Sequence, residues 1–252
     1  MVWKLSWSWI IVAALALVIR DANAEQRKAS SQTSGDRVIA IDVLLEPGPT
    51  MVAKAEGANA ALRANYPEGY TLGREQVAHI TLVHRFVREN DLPAIEQAVA
   101  KIVAKERPLE QQLTATGFGY SIWVGLATTV INIGRTPELD RFAADIVKAV
   151  EPFTVAQGTA AAFYTSRELP KIDDKIVTYV TKFVPNSSGD NYRPHVTIGV
   201  AHEDFVKEMQ GKPFTKFTFK PAGVAIYQLG NFGTAQKKLW EWNAHERLNT
   251  EK

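Results

Sequence analysis

The stretch YRPHVTIGVA, residues 192–201, places a histidine and a threonine two positions apart in a strand-like run. Successive side chains of a strand point to opposite faces, so His195 and Thr197 share one face while Val196 and Ile198 share the other. The pattern predicts a strand with one apolar face and one face that carries polar groups. A half-buried surface strand shows the same alternation, so the meaning of the motif depends on whether the chain repeats it.

The chain does repeat it, because HITL at residues 79–82 matches HVTI at residues 195–198. Each motif is preceded by a predicted strand and helix and is followed by a predicted helix. The second half carries an additional segment, residues 156–175, before its motif strand. We therefore predict an α+β fold in which residues 37–252 form two related lobes of one domain.

The other predicted elements follow from hydrophobic periodicity and from turn residues. Helices are predicted over residues 51–65, 92–107, 137–150 and 205–209. Strands are predicted over residues 37–45, 77–87, 109–118, 122–133 and 175–184, and in the C-terminal segments 214–220, 223–230 and 237–242.

Residues 1–24 have the composition of a secretory signal peptide. Lys4 precedes an apolar run that ends at Ile19, and Ala22-Asn23-Ala24 supplies the small residues of a cleavage site. The run is shorter than the roughly 20 apolar residues that span a bilayer. We expect cleavage after Ala24, a disordered leader over residues 25–36, and an exported protein, periplasmic or secreted, that has no membrane attachment.

The composition excludes several kinds of site. The chain has no cysteine, which excludes disulfides, thiolate metal sites and a cysteine nucleophile. Its formal net charge of +2 is too balanced for a protein that coats long nucleic acid electrostatically. A small anionic ligand is compatible with this charge.

The paired His-x-Thr-x motifs in two strand-helix lobes resemble the 2H phosphoesterase superfamily, which includes 2′-5′ RNA ligase-like proteins and cyclic phosphodiesterases. The resemblance covers roughly residues 37–245. It implies antiparallel sheets flanked by helices around a central cleft in which the two motif strands lie side by side. It also implies catalytic roles for His79, Thr81, His195 and Thr197, no cofactor, and a small nucleotide or an RNA end as substrate.

The motif residues suit this chemistry. An imidazole titrates near neutral pH, so two histidines can supply a base and an acid at once. Hydrolysis of a cyclic phosphodiester needs both, because the attacking water loses a proton and the departing ribose oxygen gains one. The two threonine hydroxyls can donate hydrogen bonds to the non-bridging oxygens. No metal is required, and the sequence does not say which histidine is the base.

Two further residues are candidates for substrate binding. Asp42 lies within the apolar run VIAIDVLL, residues 38–45, and either orients a catalytic histidine or lies at an exposed strand edge. Tyr192 lies in the polar loop NSSGDNYR, residues 186–193, and either stacks on a base or belongs to an ordinary turn. His84 should face away from His79 on a regular strand, and His202 lies past its strand, so both are predicted on the surface or at a helix start.

The leading functional hypothesis is a metal-independent phosphoesterase that hydrolyses 2′,3′-cyclic phosphates or 2′-5′ nucleotide linkages. One alternative is a non-catalytic nucleotide- or phosphate-binding protein with the same cleft. Another is a metal-dependent hydrolase that uses His79, His195 and Asp42 as ligands. The intact histidine and threonine pairs favour catalysis, because binding alone does not require two titrating groups.

Overall fold

Two four-stranded antiparallel sheets form the frame of the chain in the computed structural model, which describes residues 37–73, 76–123, 125–166 and 170–242. The strands are β1 (Val38–Pro47), β2 (Ile80–Arg88), β3 (Leu113–Trp123), β4 (Leu126–Ile133), β5 (His195–Ala201), β6 (Phe217–Phe219), β7 (Pro221–Leu229) and β8 (Ala235–Glu241). The first sheet has the order β2-β1-β7-β8 and the second has the order β5-β4-β3-β6. Each sheet therefore carries one motif strand at its edge, as expected for two related lobes.

The helices connect the strands and cross between the lobes. They are α1 (Pro49–Asn65), α2 (Leu92–Glu106), α3 (Pro137–Val150), α4 (Asp174–Thr181), α5 (Phe183–Ser187) and α6 (Glu203–Gly211). The side chain of Thr136 caps α3 by accepting a hydrogen bond from the backbone N–H of Leu139 at 3.1 Å. Helix α1 packs on β5 of the other lobe, and α3 packs on β2. This reciprocal packing fixes each motif strand from the opposite lobe.

A β-bulge follows the threonine of each motif. In β2, Leu82 is the additional residue, because Val83 pairs with Val43 while Thr81 pairs with Leu44. In β5, Ile198 occupies the same place, between residues that pair with Thr129 and Val130. A bulge shifts the alternation of side chains by one residue. Beyond each bulge, a residue that would point away from the motif face on a regular strand therefore points to that face.

The strand predicted over residues 175–184 is wrong, because this stretch forms α4 and α5. Its β-branched residues favour a strand, but Ile176, Val180 and Phe183 are buried at a helical spacing of four and three residues. Asp173 caps the start of α4 by accepting a hydrogen bond from the backbone N–H of Lys175 at 2.8 Å. The apolar face that this helix presents to the first sheet decides its structure.

A covering segment, residues 154–166 and 170–187, extends across one face of the first sheet. The backbone N–H of Val155 donates to the Phe86 carbonyl at 2.7 Å, and that of Tyr164 donates to the Leu229 carbonyl at 2.8 Å. The rings of Phe86 and Phe163 meet edge to face at 5.8 Å. The segment thus spans from β2 to β7 and encloses a small core of its own with Ala40.

The predicted signal peptide, residues 1–24, and the predicted leader, residues 25–36, lie outside the described residues. The described residues from Val38 to Trp242 belong to one compact unit. Within the described ranges, no helix combines the length and the hydrophobicity that crossing a bilayer requires.

We expect Phe163→Ala to lower the free energy of unfolding by about 3–5 kcal/mol, because the ring is 5% exposed and the cavity would separate the covering segment from the sheet. Tyr164→Ala is the matched control. Tyr164 is the next residue along the chain and is 39% exposed, so its substitution should lower the free energy of unfolding by less than about 1 kcal/mol. Urea unfolding of both variants measures the difference. Equal losses would contradict the docking that we describe.

Candidate active site

The two motif histidines are held by the same local hydrogen bond. His79 Nδ1 lies 2.7 Å from the carbonyl oxygen of Val77, and His195 Nδ1 lies 2.6 Å from the carbonyl oxygen of Arg193. A carbonyl can only accept, so Nδ1 carries a proton in both rings. Each Nε2 is therefore the atom available for chemistry, and its protonation depends on what it faces.

His79 Nε2 faces a carboxylate. It lies 3.2 Å from Asp42 Oδ2, and the His79 side chain is 12% exposed. Because both ring nitrogens face acceptors, both carry protons and His79 is an imidazolium. Burial alone would lower the pKa of His79, but the hydrogen bond and charge of Asp42, with contributions from the Val77 carbonyl and Glu46, raise it above its ordinary value.

Asp42 is the centre of this half of the site. It lies on β1 with no exposed surface, and its Oδ2 also accepts a hydrogen bond from Thr81 Oγ1 at 3.1 Å and lies 3.1 Å from His84 Nε2. Burial alone would raise the pKa of Asp42, but His84 and His79 hold it below its ordinary value. Full burial contradicts both the exposed-edge prediction and a direct substrate-binding role for Asp42, whereas its contact with His79 matches the predicted orienting role.

The prediction that His84 lies on the surface is wrong. Its side chain is 3% exposed and it is the cross-strand partner of Asp42. The bulge at Leu82 is the physical reason, because it brings His84 to the face that carries Thr81. Its Nδ1 is buried and has no partner within the described part of the chain, so the ring proton lies on Nε2 and points to Asp42. A search for a partner to the acid in VIAIDVLL could have found this residue.

Within the described ranges, the second lobe has no such carboxylate at its motif. Burial lowers the pKa of His195; the Arg193 carbonyl opposes this shift, and the nearby His79 and His84 lower the pKa further. His195 is therefore the neutral imidazole of the pair, with Nε2 unprotonated. Among the described residues, neither His195 Nε2 nor the Thr197 hydroxyl makes a hydrogen bond.

Two buried residues support the motif strands. The ring of Tyr192 is 4% exposed, and its hydroxyl donates to the carbonyl oxygen of Thr81 at 3.4 Å. This burial leaves no open ring face, so the predicted stacking of Tyr192 on a base is corrected to a structural role. Asn59 of α1, which no sequence pattern singled out, donates to the carbonyl of the bulge residue Ile198 at 2.9 Å. His202 lies exposed at the start of α6, as predicted.

The two motifs lie next to each other. Strands β2 and β5 contact one another, and the charge of His79 is close enough to affect the pKa of His195. Across the described ranges, no group of three or more histidine, aspartate or glutamate side chains has an arrangement that would hold a metal ion. The grouping of His79, His195 and Asp42 as metal ligands therefore has no geometric support in this part of the chain.

Paired histidine–threonine motifs on adjacent strands of two lobes are those of a 2H phosphoesterase. The chain belongs to the 2′-5′ RNA ligase superfamily, whose family model matches residues 51–224. No curated protein matches the sequence.

Several solved structures are similar at low identity. The crystal structure of TT0787 of Thermus thermophilus shares 15% identity at a TM-score of 0.45, over 81% of this chain and 97% of that one. LigT of E. coli shares 14% identity, with TM-scores of 0.38 in its apo form and 0.40 in its complex with 3′-AMP, over 82% of this chain and 98% of each LigT chain.

The Asp42–His79 pair predicts a particular pH dependence of stability. Its carboxylate contributes above its ordinary pKa of 3.8 and loses this contribution as pH falls through its lowered pKa. Its imidazolium contributes fully below 6.5 and loses this contribution as pH rises through its raised pKa. We therefore expect Asp42→Asn to cost about 3 kcal/mol near pH 6 and less near pH 9. Urea unfolding of both proteins across this range measures the difference, and a cost independent of pH would contradict the pairing.

Proposed function

We propose that this protein is a phosphodiesterase that hydrolyses 2′,3′-cyclic phosphates or 2′-5′ nucleotide linkages, with His195 as the general base and His79 as the general acid. The observation that carries the proposal is the difference between the two Nε2 atoms. One faces the buried carboxylate of Asp42 and is protonated, while the other has no acceptor among the described residues and lies in a ring whose pKa is lowered. An acid and a base are thus both available near neutral pH.

The proposed reaction requires one proton transfer at each histidine. His195 Nε2 takes a proton from water as the water oxygen attacks phosphorus. The bond from phosphorus to the leaving ribose oxygen breaks, and this oxygen keeps the electron pair and takes the proton from His79 Nε2. His195 is then an imidazolium and His79 is neutral, with its remaining proton on Nδ1 towards Val77. Exchange with solvent restores both rings, and no metal takes part in these steps.

The two threonines, like the two histidines, differ in whether they contact Asp42. The Thr81 hydroxyl donates to Asp42, whereas the Thr197 hydroxyl is available to donate to a non-bridging phosphate oxygen. Charge accumulates on these oxygens in the transition state. We therefore assign the main phosphate-binding hydroxyl to Thr197 and a supporting role to Thr81.

Small cyclic nucleotides or RNA fragments are the proposed substrates. Export, which we propose from the composition of residues 1–24, suits the scavenging of such molecules outside the cytoplasm better than RNA processing. The direct test is an assay of the purified protein, in EDTA, on 2′,3′-cyclic mononucleotides, 2′-5′ dinucleotides and 3′-5′ cyclic nucleotides.

In this assay His79→Ala and His195→Ala should each lower kcat by about 10²–10⁴-fold, because each removes a positioned proton-transfer group. The double variant should be little worse than the poorer single variant, since acid and base act as a unit. His202→Ala is the matched control and should keep wild-type activity, because this histidine lies exposed at the start of α6.

Three results would contradict the proposed mechanism. One is near-normal turnover by either motif variant. Another is loss of wild-type activity in EDTA with recovery on addition of zinc or manganese, which would favour the metal-dependent alternative. The third is tight binding of every nucleotide tested without turnover, which would favour a non-catalytic binding protein.

We expect Thr197→Val and Thr81→Val to differ. Loss of the Thr197 hydroxyl should lower kcat by about 10²-fold with little change in stability, because it removes a transition-state donor. Loss of the Thr81 hydroxyl should cost about 1–3 kcal/mol of stability, because it removes a hydrogen bond from a buried carboxylate, and should affect kcat less. Kinetics and urea unfolding of both variants test this, and equal effects on kcat would refute the separate roles.

A further inference from the structure

We propose that His84 is a positioning residue for the general acid: it keeps the Asp42 carboxylate hydrogen-bonded while His79 transfers its proton to the leaving oxygen. This inference rests on the proposed function and extends it to a residue outside both motifs. His84 is not itself a proton donor to the substrate, because its side chain is 3% exposed.

The first observation is that two imidazoles share one carboxylate oxygen. Asp42 Oδ2 lies 3.2 Å from His79 Nε2 and 3.1 Å from His84 Nε2. When the proton of His79 moves to the substrate, the oxygen loses one of these two partners. His84 then still donates to it, as does Thr81 Oγ1 at 3.1 Å. The buried carboxylate therefore keeps hydrogen-bond donors after the proton transfer.

The second observation is that Asp42 has few other partners. It has no exposed surface, and its Oδ1 makes no hydrogen bond within the described residues. An uncompensated buried carboxylate is costly. Without His84, Asp42 would hold the proton of His79 more tightly, and His79 would become a weaker acid.

Aromatic side chains surround His84 in the described part of the chain. The ring of Phe183 lies 4.6 Å from the His84 ring, and that of Tyr179 lies 5.6 Å away. Burial raises the pKa of Tyr179 to about 12 and also raises that of Tyr192. From β7, Tyr227 is the cross-strand partner of Asp42, and burial with the nearby Glu46 raises its pKa to about 12. All three phenols are uncharged at neutral pH.

Two further titratable groups, Glu46 and His195, lie near the pair. Glu46 contributes to the raised pKa of His79, and His195 faces both histidines from β5 with a lowered pKa. Neither of these groups makes a hydrogen bond to Asp42. The Asp42 carboxylate is therefore stabilised by the His79 imidazolium and by hydrogen bonds from His84 and the Thr81 hydroxyl.

The second lobe supports the assignment by contrast. Two residues beyond each bulge, the cross-strand pairs are Asp42 with His84 in the first lobe and Thr128 with Val200 in the second. The carboxylate and its second histidine therefore occur together in the lobe of the proposed acid, whereas Thr128 and Val200 occupy the matching positions in the lobe of the proposed base. A role confined to sheet stability would not require this pairing on one side only.

The test compares His84→Phe, His84→Gln and His84→Asn in the full protein. Phe fits the aromatic surroundings but has no donor, Gln places an amide N–H near the position of Nε2, and Asn is too short to reach Asp42. We expect His84→Phe and His84→Asn to lower kcat by about tenfold. Because His79 then holds its proton more tightly, the pKa of the alkaline limb of the pH–rate profile should rise by about one unit. His84→Gln should restore both values towards wild type.

Phe86→Leu is the matched control, because it alters a buried ring on the same strand without touching Asp42, and it should leave the alkaline limb in place. NMR titration of the His79 ring in the same variants measures the shift without any substrate. The inference would be overturned if, in His84→Phe and His84→Asn, both the alkaline limb of the pH–rate profile and the NMR titration of His79 stayed at their wild-type pH. Inactive wild-type protein would instead refute the proposed function, while the ring titration would still decide the role of His84.

Discussion

A single buried carboxylate determines how the two halves of this site differ. Asp42 has no exposed surface, and three donors from β2 or its start converge on its Oδ2: His79, Thr81 and His84. The charge of this group keeps one motif histidine protonated. The other histidine lies beside that imidazolium, has no carboxylate partner in the described part of the chain, and stays neutral. In the proposed mechanism, this one buried ion pair gives two similar motifs the separate roles of acid and base.

The surrounding fold is nearly symmetric, so the asymmetry has a local origin. Both histidines bond through Nδ1 to the carbonyl two residues earlier, and both motif strands carry a bulge after the threonine. Helices α1 and α3 each pack on the motif strand of the other lobe. These common features position both imidazoles. The difference comes from the neighbouring strands, because β1 places Asp42 beside the first motif and β4 places no carboxylate at the matching position beside the second.

The sequence predicted the parts of this arrangement that depend on repetition and alternation. The repeated motif and its strand-helix context were enough to predict two lobes and adjacent motif strands. For Asp42 the sequence left two alternatives open, an orienting contact with a catalytic histidine and an exposed strand edge. The place of His84 was not predictable from strand alternation, because the bulge at Leu82 changes the register. The helical state of residues 174–181 also depended on long-range packing, since their β-branched residues satisfy a strand pattern until the covering segment meets the sheet.

The most direct test of the account is the protonation of the two motif histidines in the unliganded wild-type protein. ¹⁵N NMR of the imidazole nitrogens near neutral pH distinguishes an imidazolium from each neutral tautomer. The account predicts that His79 carries protons on both nitrogens and that His195 carries one, on Nδ1. A neutral His79 together with a protonated His195, or the same protonation state in both rings, would contradict the central claim that Asp42 divides the pair into acid and base.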